Sequence, residues 1–340
     1  TWRSIVGSGT SSIMAGTPRR RVTPTGEASP SPITIDPSGG APSLHIGMAC
    51  AGTRDNVVGM TTTLVRPPSR IRLIASAATI LATVPYLTLK AAWLTGSTVG
   101  ITDIDFVRDP VVHALNLLTA GMDVLAVVLA IAFVAPFGRT VPAWLLLLPA
   151  WVASGLLAPI MVASPLTTLV ATGDVESSLP MASWVTPIVY GGYTVQGIGL
   201  IVGFVFYAWE RWGDAVDDTG PEPAHDALAA LAIPVATAAV VAGGIGVVWS
   251  LSADDLASGV AGVARAAFSF AAAVGVLAVV RRQVPGRVRA AAAWLGSGAM
   301  FAWGMWGLVV VLADAPLGDG APSVAGNLYS LLQTVTGLTV

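Results

Sequence analysis

The sequence predicts an all-α protein: a polytopic transmembrane bundle of about eight helices. Three observations carry this expectation. Between Ile71 and Val340 the apolar stretches each approach the ~20 residues that a helix needs to cross a bilayer, and short polar joints separate them. Over 340 residues the chain is 54% hydrophobic and 11% charged, with a mean hydropathy of +0.75, whereas a soluble domain carries roughly a quarter charged residues. Finally, arginines concentrate in alternate joints and carboxylates in the others, the charge pattern of a chain that threads back and forth through a membrane.

Residues 1–65 stand apart. They are rich in Pro, Gly, Ser and Thr, with a basic cluster at Arg19, Arg20 and Arg21 followed by Pro24 to Pro42, a composition expected to be disordered. No apolar run makes a secretory signal, and Gly47-Met48-Ala49-Cys50 follows too short and polar a segment to serve as a lipoprotein cleavage site. Met60 opens Met60-Thr61-Thr62-Thr63-Leu64-Val65-Arg66, which leads directly into the first span. Residues 1–59 are therefore read as an extension upstream of the true start or, alternatively, as a genuine cytoplasmic tail, and residues 70–340 as the membrane domain.

The spans are expected at 72–95, 110–134, 141–170, 184–209, 227–250, 257–280, 289–313 and 322–340. Pro142, Pro149, Pro159 and Pro165 in the third remove amide donors, so a kink or break is expected there. The eighth is near the minimum length and has no flanking charge. Arg66, Arg70 and Arg72, then Arg139, then Arg211, then Arg281, Arg282, Arg287 and Arg289 all fall on one side. The opposite joints carry Asp103, Asp105 and Asp109, Asp174 and Glu176, Asp254 and Asp255, Asp314 and Asp319, with Arg108 as their basic residue. The positive-inside rule then puts both termini on the cytoplasmic side of the membrane. An acidic cytoplasmic joint at 210–226 divides four helices from four, which suggests two parallel four-helix repeats.

Composition also excludes functions. A net charge of -2 with no basic arm gives nothing to displace counterions from nucleic acid. Cys50 is the single cysteine, so neither an internal disulfide nor a thiolate metal site can form. His45 and His225 fall in polar segments, leaving His113 without a second imidazole for haem within the bundle. No cofactor or metal is expected. No nucleophile stands with a base in a recognisable pattern, which makes a membrane enzyme the weakest reading.

The costly residues are the polar ones inside the spans. Lys90 stands about 27 Å along its helix from Arg72, just under the outer interface, where its stem is expected to snorkel outward beside an interfacial Trp93. Arg265, about 24 Å from Arg281, and His113 share that outer layer. Asp123 lies about 20 Å beyond Pro110, and vertical arithmetic separates it from Lys90 by about 17 Å, so the two are not expected to pair. His113, Asn116, Ala120 and Asp123 fall on one helical face and form a candidate polar path. Otherwise, Asp123 is a neutral packing contact to Gln196, Asn327 or Gln333.

Gly191, Gly192, Gly197, Gly199 and Gly203, then Gly243, Gly244 and Gly246, then Gly296, Gly304 and Gly307 mark close helix packing. Trp294, Trp303, Trp306, Tyr190 and Tyr193 read as packing or interface residues. The Ala/Val/Gly-rich spans and the stretch Pro85-Tyr86-Leu87-Thr88-Leu89-Lys90-Ala91-Ala92-Trp93-Leu94-Thr95-Gly96 resemble the uncharacterised multi-pass membrane proteins of high-GC actinobacteria. That resemblance implies a helical bundle in the cytoplasmic membrane and leaves activity open. Two functions remain: a small-solute permease with Asp123 in its path, or an interaction or assembly component for a membrane-protein partner. The lipid bilayer is the partner common to both.

Overall fold

Ser69 opens the first helix, its hydroxyl accepting the Arg72 amide at 3.4 Å, and helix α1 runs Arg70–Leu94. The computed structural model describes residues 68–170, 180–217, 225–281, 284–313 and 323–340, all within one compact unit. Gly96, at φ +91°, ends α1: Gly96 N donates to Trp93 O and Ser97 N to Ala92 O, closing the last turn with a left-handed residue that favours glycine. Asp103 caps the short α2, Ile104–Arg108. Asp109 caps α3, Pro110–Val134, by accepting Val111 N at 2.7 Å and Val112 N at 3.2 Å, with Pro110 at the first position, where no amide is missed.

A 3-10 turn at Pro136–Arg139 leads to α4, Ala143–Val170, followed by α5, Val185–Asp217, α6, His225–Leu251, α7, Leu256–Arg281, α8, Gly286–Leu312, and α9, Val324–Thr339. Among the described residues, seven helices are long and apolar enough to cross a membrane. Leu81, Leu117, Ile233 and Val274 are each more than 60% exposed around the bundle. Apolar side chains turned outward at spanning length require lipid as their solvent. The protein is an integral membrane protein.

Three expectations change. The eighth span is α9, whose 16 residues reach only about 24 Å. α4 is not broken: Pro149, Pro159 and Pro165 lie inside one helix, and the Trp303 indole donates at 3.3 Å to Leu156 O, beside the carbonyl that Pro159 leaves unserved. α5 continues about two turns past its expected end, so Glu210 and Arg211 are helical residues rather than the start of a joint. The extension at 1–65 lies outside the described residues, as do residues 218–224 of the acidic joint.

α1 packs chiefly on α5 and α3, while α6 to α9 form a second group joined to the first mainly through α4 against α7 and α8. Glycines set these distances. A Cβ on Gly199 would come within 3 Å of Ala75 O in α1, one on Gly275 or Gly296 within 3 Å of backbone across the α7–α8 contact, and one on Gly337 within 3 Å of Phe301 N. Gly192 faces Ala82 O at the α1–α5 contact, and the helix stays regular through Gly191 and Gly192.

The two ends differ in chemistry. At one, an antiparallel bridge joins Ile101 to Met181, with Thr102 N donating to Pro180 O and Ala182 N to Gly100 O, both at 2.9 Å. At the other, Glu210 accepts from Arg72 at 2.5 Å and from Arg139 at 3.3 Å. Arg211 donates to Gly138 O and Val141 O, and the Tyr207 hydroxyl also donates to Gly138 O at 2.6 Å. Arg287 lies over Trp209 at 4.4 Å. Arg72, Arg139, Arg211 and Arg287, four of the arginines behind the sidedness expectation, thus make their contacts at this end of the bundle.

Candidate functional site

The site forms where α1, α3 and α5 meet. Tyr86, Lys90 and Trp93 fall on one face of α1, at i, i+4 and i+7. Helical side chains lean towards their own N-terminus, so the lysine stem lies back over the preceding turn. Its ammonium consequently sits over the Tyr86 ring, 4.1 Å from the centroid. Asp123 belongs to the buried stripe of α3 that also contains Val112, Leu115, Ala126, Leu129 and Phe133.

Lys90 Nζ donates to Asp123 Oδ2 at 2.7 Å, and the two side chains are 0% and 6% exposed. This overturns the expectation that the pair stays apart. The vertical arithmetic took the outer ends of α1 and α3 as level and ignored side-chain direction. α1 and α3 are antiparallel, so Lys90 leans inward along α1 while Asp123 leans outward along α3, each towards the other.

The outward snorkelling of Lys90 is likewise corrected. Trp93 is 2% exposed. Its indole donates to Val99 O at 2.8 Å, bracing the loop that follows α1 rather than resting among headgroups. Tyr193 of α5 meets Tyr86 edge-on at 5.3 Å, and Trp93 meets Tyr86 edge-on at 6.2 Å. The ion pair is thus enclosed by aromatic rings from two helices. Neither Tyr86 nor Tyr193 was singled out as a site residue from the sequence, although the i, i+4 spacing of Tyr86 and Lys90 signals a lysine resting on a ring.

The other candidates do not join this site as a path. His113 is exposed and Asn116 half-buried, so the face that holds them diverges from the buried stripe carrying Asp123. Gln196 is buried on α5, one turn beyond Tyr193. Gln333 donates to the Tyr329 hydroxyl at 3.0 Å, within α9. Arg265 lies in the second helix group, its guanidinium 5.0 Å from the centre of the Trp303 ring.

Two crevices open beside α4. One, about 670 Å³, is lined by Val162 and Leu166 of α4 and Val260, Val263 and Ala267 of α7, with Asp254 and Asp255 at its rim. The other, about 380 Å³, is lined by Leu147, Trp151, Ala293, Trp294 and Val340. At the second crevice α4 and α8 are tied by a reciprocal pair of bonds: Trp151 Nε1 donates to Ser297 Oγ at 2.9 Å, and Trp294 Nε1 donates to Ser154 Oγ at 3.0 Å. No family model, curated protein or solved structure matches this chain.

Proposed function

We propose that this integral membrane protein is a proton-linked small-solute permease whose responsive element is the Lys90–Asp123 pair. The observation that carries the reading is the 2.7 Å bond between two charged groups sealed inside apolar helices. Such a pair contributes no more to packing than well-fitted apolar residues would. Its distinctive property is that one proton on Asp123 removes the charge opposite Lys90 and weakens the clamp between α1 and α3. Ionisable residues kept at this depth are most often part of an ion or proton pathway. The arginine-rich end, with Arg72, Arg139, Arg211 and Arg287, is read as cytoplasmic and the membrane as the bacterial inner membrane.

A neutral amide at position 123 alone leaves Lys90 charged and unpaired, which costs about 3–5 kcal/mol. The decisive variant is therefore Asp123→Asn with Lys90→Gln. Purified protein would be reconstituted in vesicles and uptake driven by a pH gradient across a solute panel. The wild type is expected to accumulate a solute, and the folded double variant to lose the gradient-driven part. Unchanged gradient-driven uptake in that variant rejects the reading.

A second reading, an assembly component for a membrane-protein partner, draws on the sealed pair and on glycine contacts such as Gly199 on α1 and Gly337 on α8. It expects no flux for any solute with the wild type. A co-purifying partner would still be recovered with the neutral double variant.

A further inference from the structure

Arg265 poses a separate problem of charge. It lies about 13 Å along α7 from Leu256, within a helix of spanning length and hydropathy. Among the described residues no carboxylate lies within 4 Å of it. Asp255, at the start of the same helix, is about 15 Å away along the axis. A guanidinium at this depth is costly unless paired, and this one stays permanently charged.

Its surroundings include an aromatic ring from α8. The Trp303 ring stands 5.0 Å from the guanidinium carbon and is itself held by its indole bond to Leu156 O of α4. That bond links α8 to α4, and the ring contact adds Arg265 of α7. Tyr190 of α5 and Tyr329 of α9 lie within electrostatic reach of Arg265, and Gln333 donates to the Tyr329 hydroxyl. Yet Arg265 is exposed at its surface. Trp303 lies against the guanidinium, and among the described residues no hydrogen bond occupies its N–H groups, so the fork can meet two oxygens at once.

We propose that Arg265 and Trp303 form an oxyanion-binding site, taking a phosphate group by bidentate hydrogen bonding to the guanidinium. The phosphate can come from a lipid headgroup or from solution, and both present the same pair of oxygens. This site is independent of the permease reading, because it shares no residue with the Lys90–Asp123 pair.

The test uses the full chain, purified in detergent and delipidated, with thermal unfolding as the readout. One arm titrates inorganic phosphate against chloride at matched ionic strength; the other adds phosphatidylglycerol or, as a zwitterionic control for net lipid charge, phosphatidylcholine. Wild type is expected to give a saturable upward shift in at least one arm, and the responding arm identifies the source. Arg265→Gln should weaken the apparent affinity at least tenfold. Arg265→Lys keeps the charge without the fork and should fall between the two, while Trp303→Leu should weaken binding without removing the charge. No saturable shift in either arm with the wild type overturns the proposal, as does an affinity unchanged in both Arg265→Gln and Arg265→Lys. Should Arg265→Gln fail to fold, the lysine and Trp303→Leu variants decide: wild-type affinity in both overturns it.

Discussion

Gly155 of α4 rests directly against the backbone of Gly298 in α8, so close that a side chain on Gly155 would fall within 3 Å of the Gly298 carbonyl group. One turn earlier on each helix a tryptophan donates to the serine of the other, Trp151 to Ser297 and Trp294 to Ser154. Each serine in turn donates to the carbonyl of the tryptophan on its own helix. The two segments, Trp151-Val152-Ala153-Ser154-Gly155 and Trp294-Leu295-Gly296-Ser297-Gly298, share the pattern Trp-x-x-Ser-Gly. Each lies on the third long helix of its group of four, which favours the parallel-repeat reading.

Gly155→Leu is expected to push α4 from α8 and to cost about 1–3 kcal/mol or more, the range for overpacking a tight contact. Gly121→Leu is the control, because nothing lies within 4 Å of a Cβ built there. Thermal unfolding in detergent should show a lower midpoint for the first variant and little change for the second. Equal midpoints would contradict the close approach.

The Lys90–Asp123 pair makes a non-additive prediction. Lys90→Met and Asp123→Leu should each destabilise by about 3–5 kcal/mol, since each leaves a buried charge alone, whereas the double substitution should recover most of the loss. Reversible denaturation in mixed micelles measures the cycle. Additive losses would mean that the two charges are not coupled.

Asp255 supplies a pH dependence outside the membrane-spanning segments. Hydrogen bonds from Ser258, first through its side chain and then through its backbone, hold the Asp255 carboxyl below its ordinary value, and Ser258 N reaches Oδ1 at 2.8 Å. A depressed folded-state pKa means that the ionised cap stabilises fully above the unfolded value, near 3.8, and that this contribution fades as pH falls through the lower folded value. Asp255→Ala should cost about 0.5–2 kcal/mol at neutral pH, with the gap from wild type narrowing below about pH 4. Unfolding midpoints across pH 3 to 7 check the trend.

The sidedness reading predicts labelling. In a Cys50→Ser background, cysteines at Ser97 and Ser252 should react with an impermeant thiol reagent on intact cells, and one at Gly220 should react only after permeabilisation. Labelling of Gly220→Cys in sealed cells would reverse the orientation.

Much of the helix layout was legible because lipid imposes it: the reading of 110–134 coincides with α3, and most other spans agree within three residues. Hydropathy does not see the end of α5, because Glu210 and Arg211 are kept helical by specific partners, Arg72, Arg139 and the carbonyls of Gly138 and Val141. Residue spacing gave the depth of Lys90 and Asp123 along each helix but neither the offset between helices nor the lean of the side chains. Those two quantities decide whether the charges meet. The Trp-x-x-Ser-Gly pattern was present in the chain, but its meaning depends on α4 and α8 being adjacent.

The bond between Arg72 and Glu210 spans 138 residues of sequence, and that separation has a consequence for biogenesis. The rest of α1, all of α3 and α4, and most of α5 are synthesised after Arg72 and before Glu210 emerges. If the arginine-rich end is cytoplasmic, as proposed above, Arg72 is an uncompensated charge while α1 is being oriented, available to hold its end at the membrane surface where it was made. Only when α5 is complete does the carboxylate arrive and fold Arg72 into the bundle, where it is 3% exposed. One side chain thus serves first as a topological signal and later as a structural clasp, and the order of translation separates the two roles.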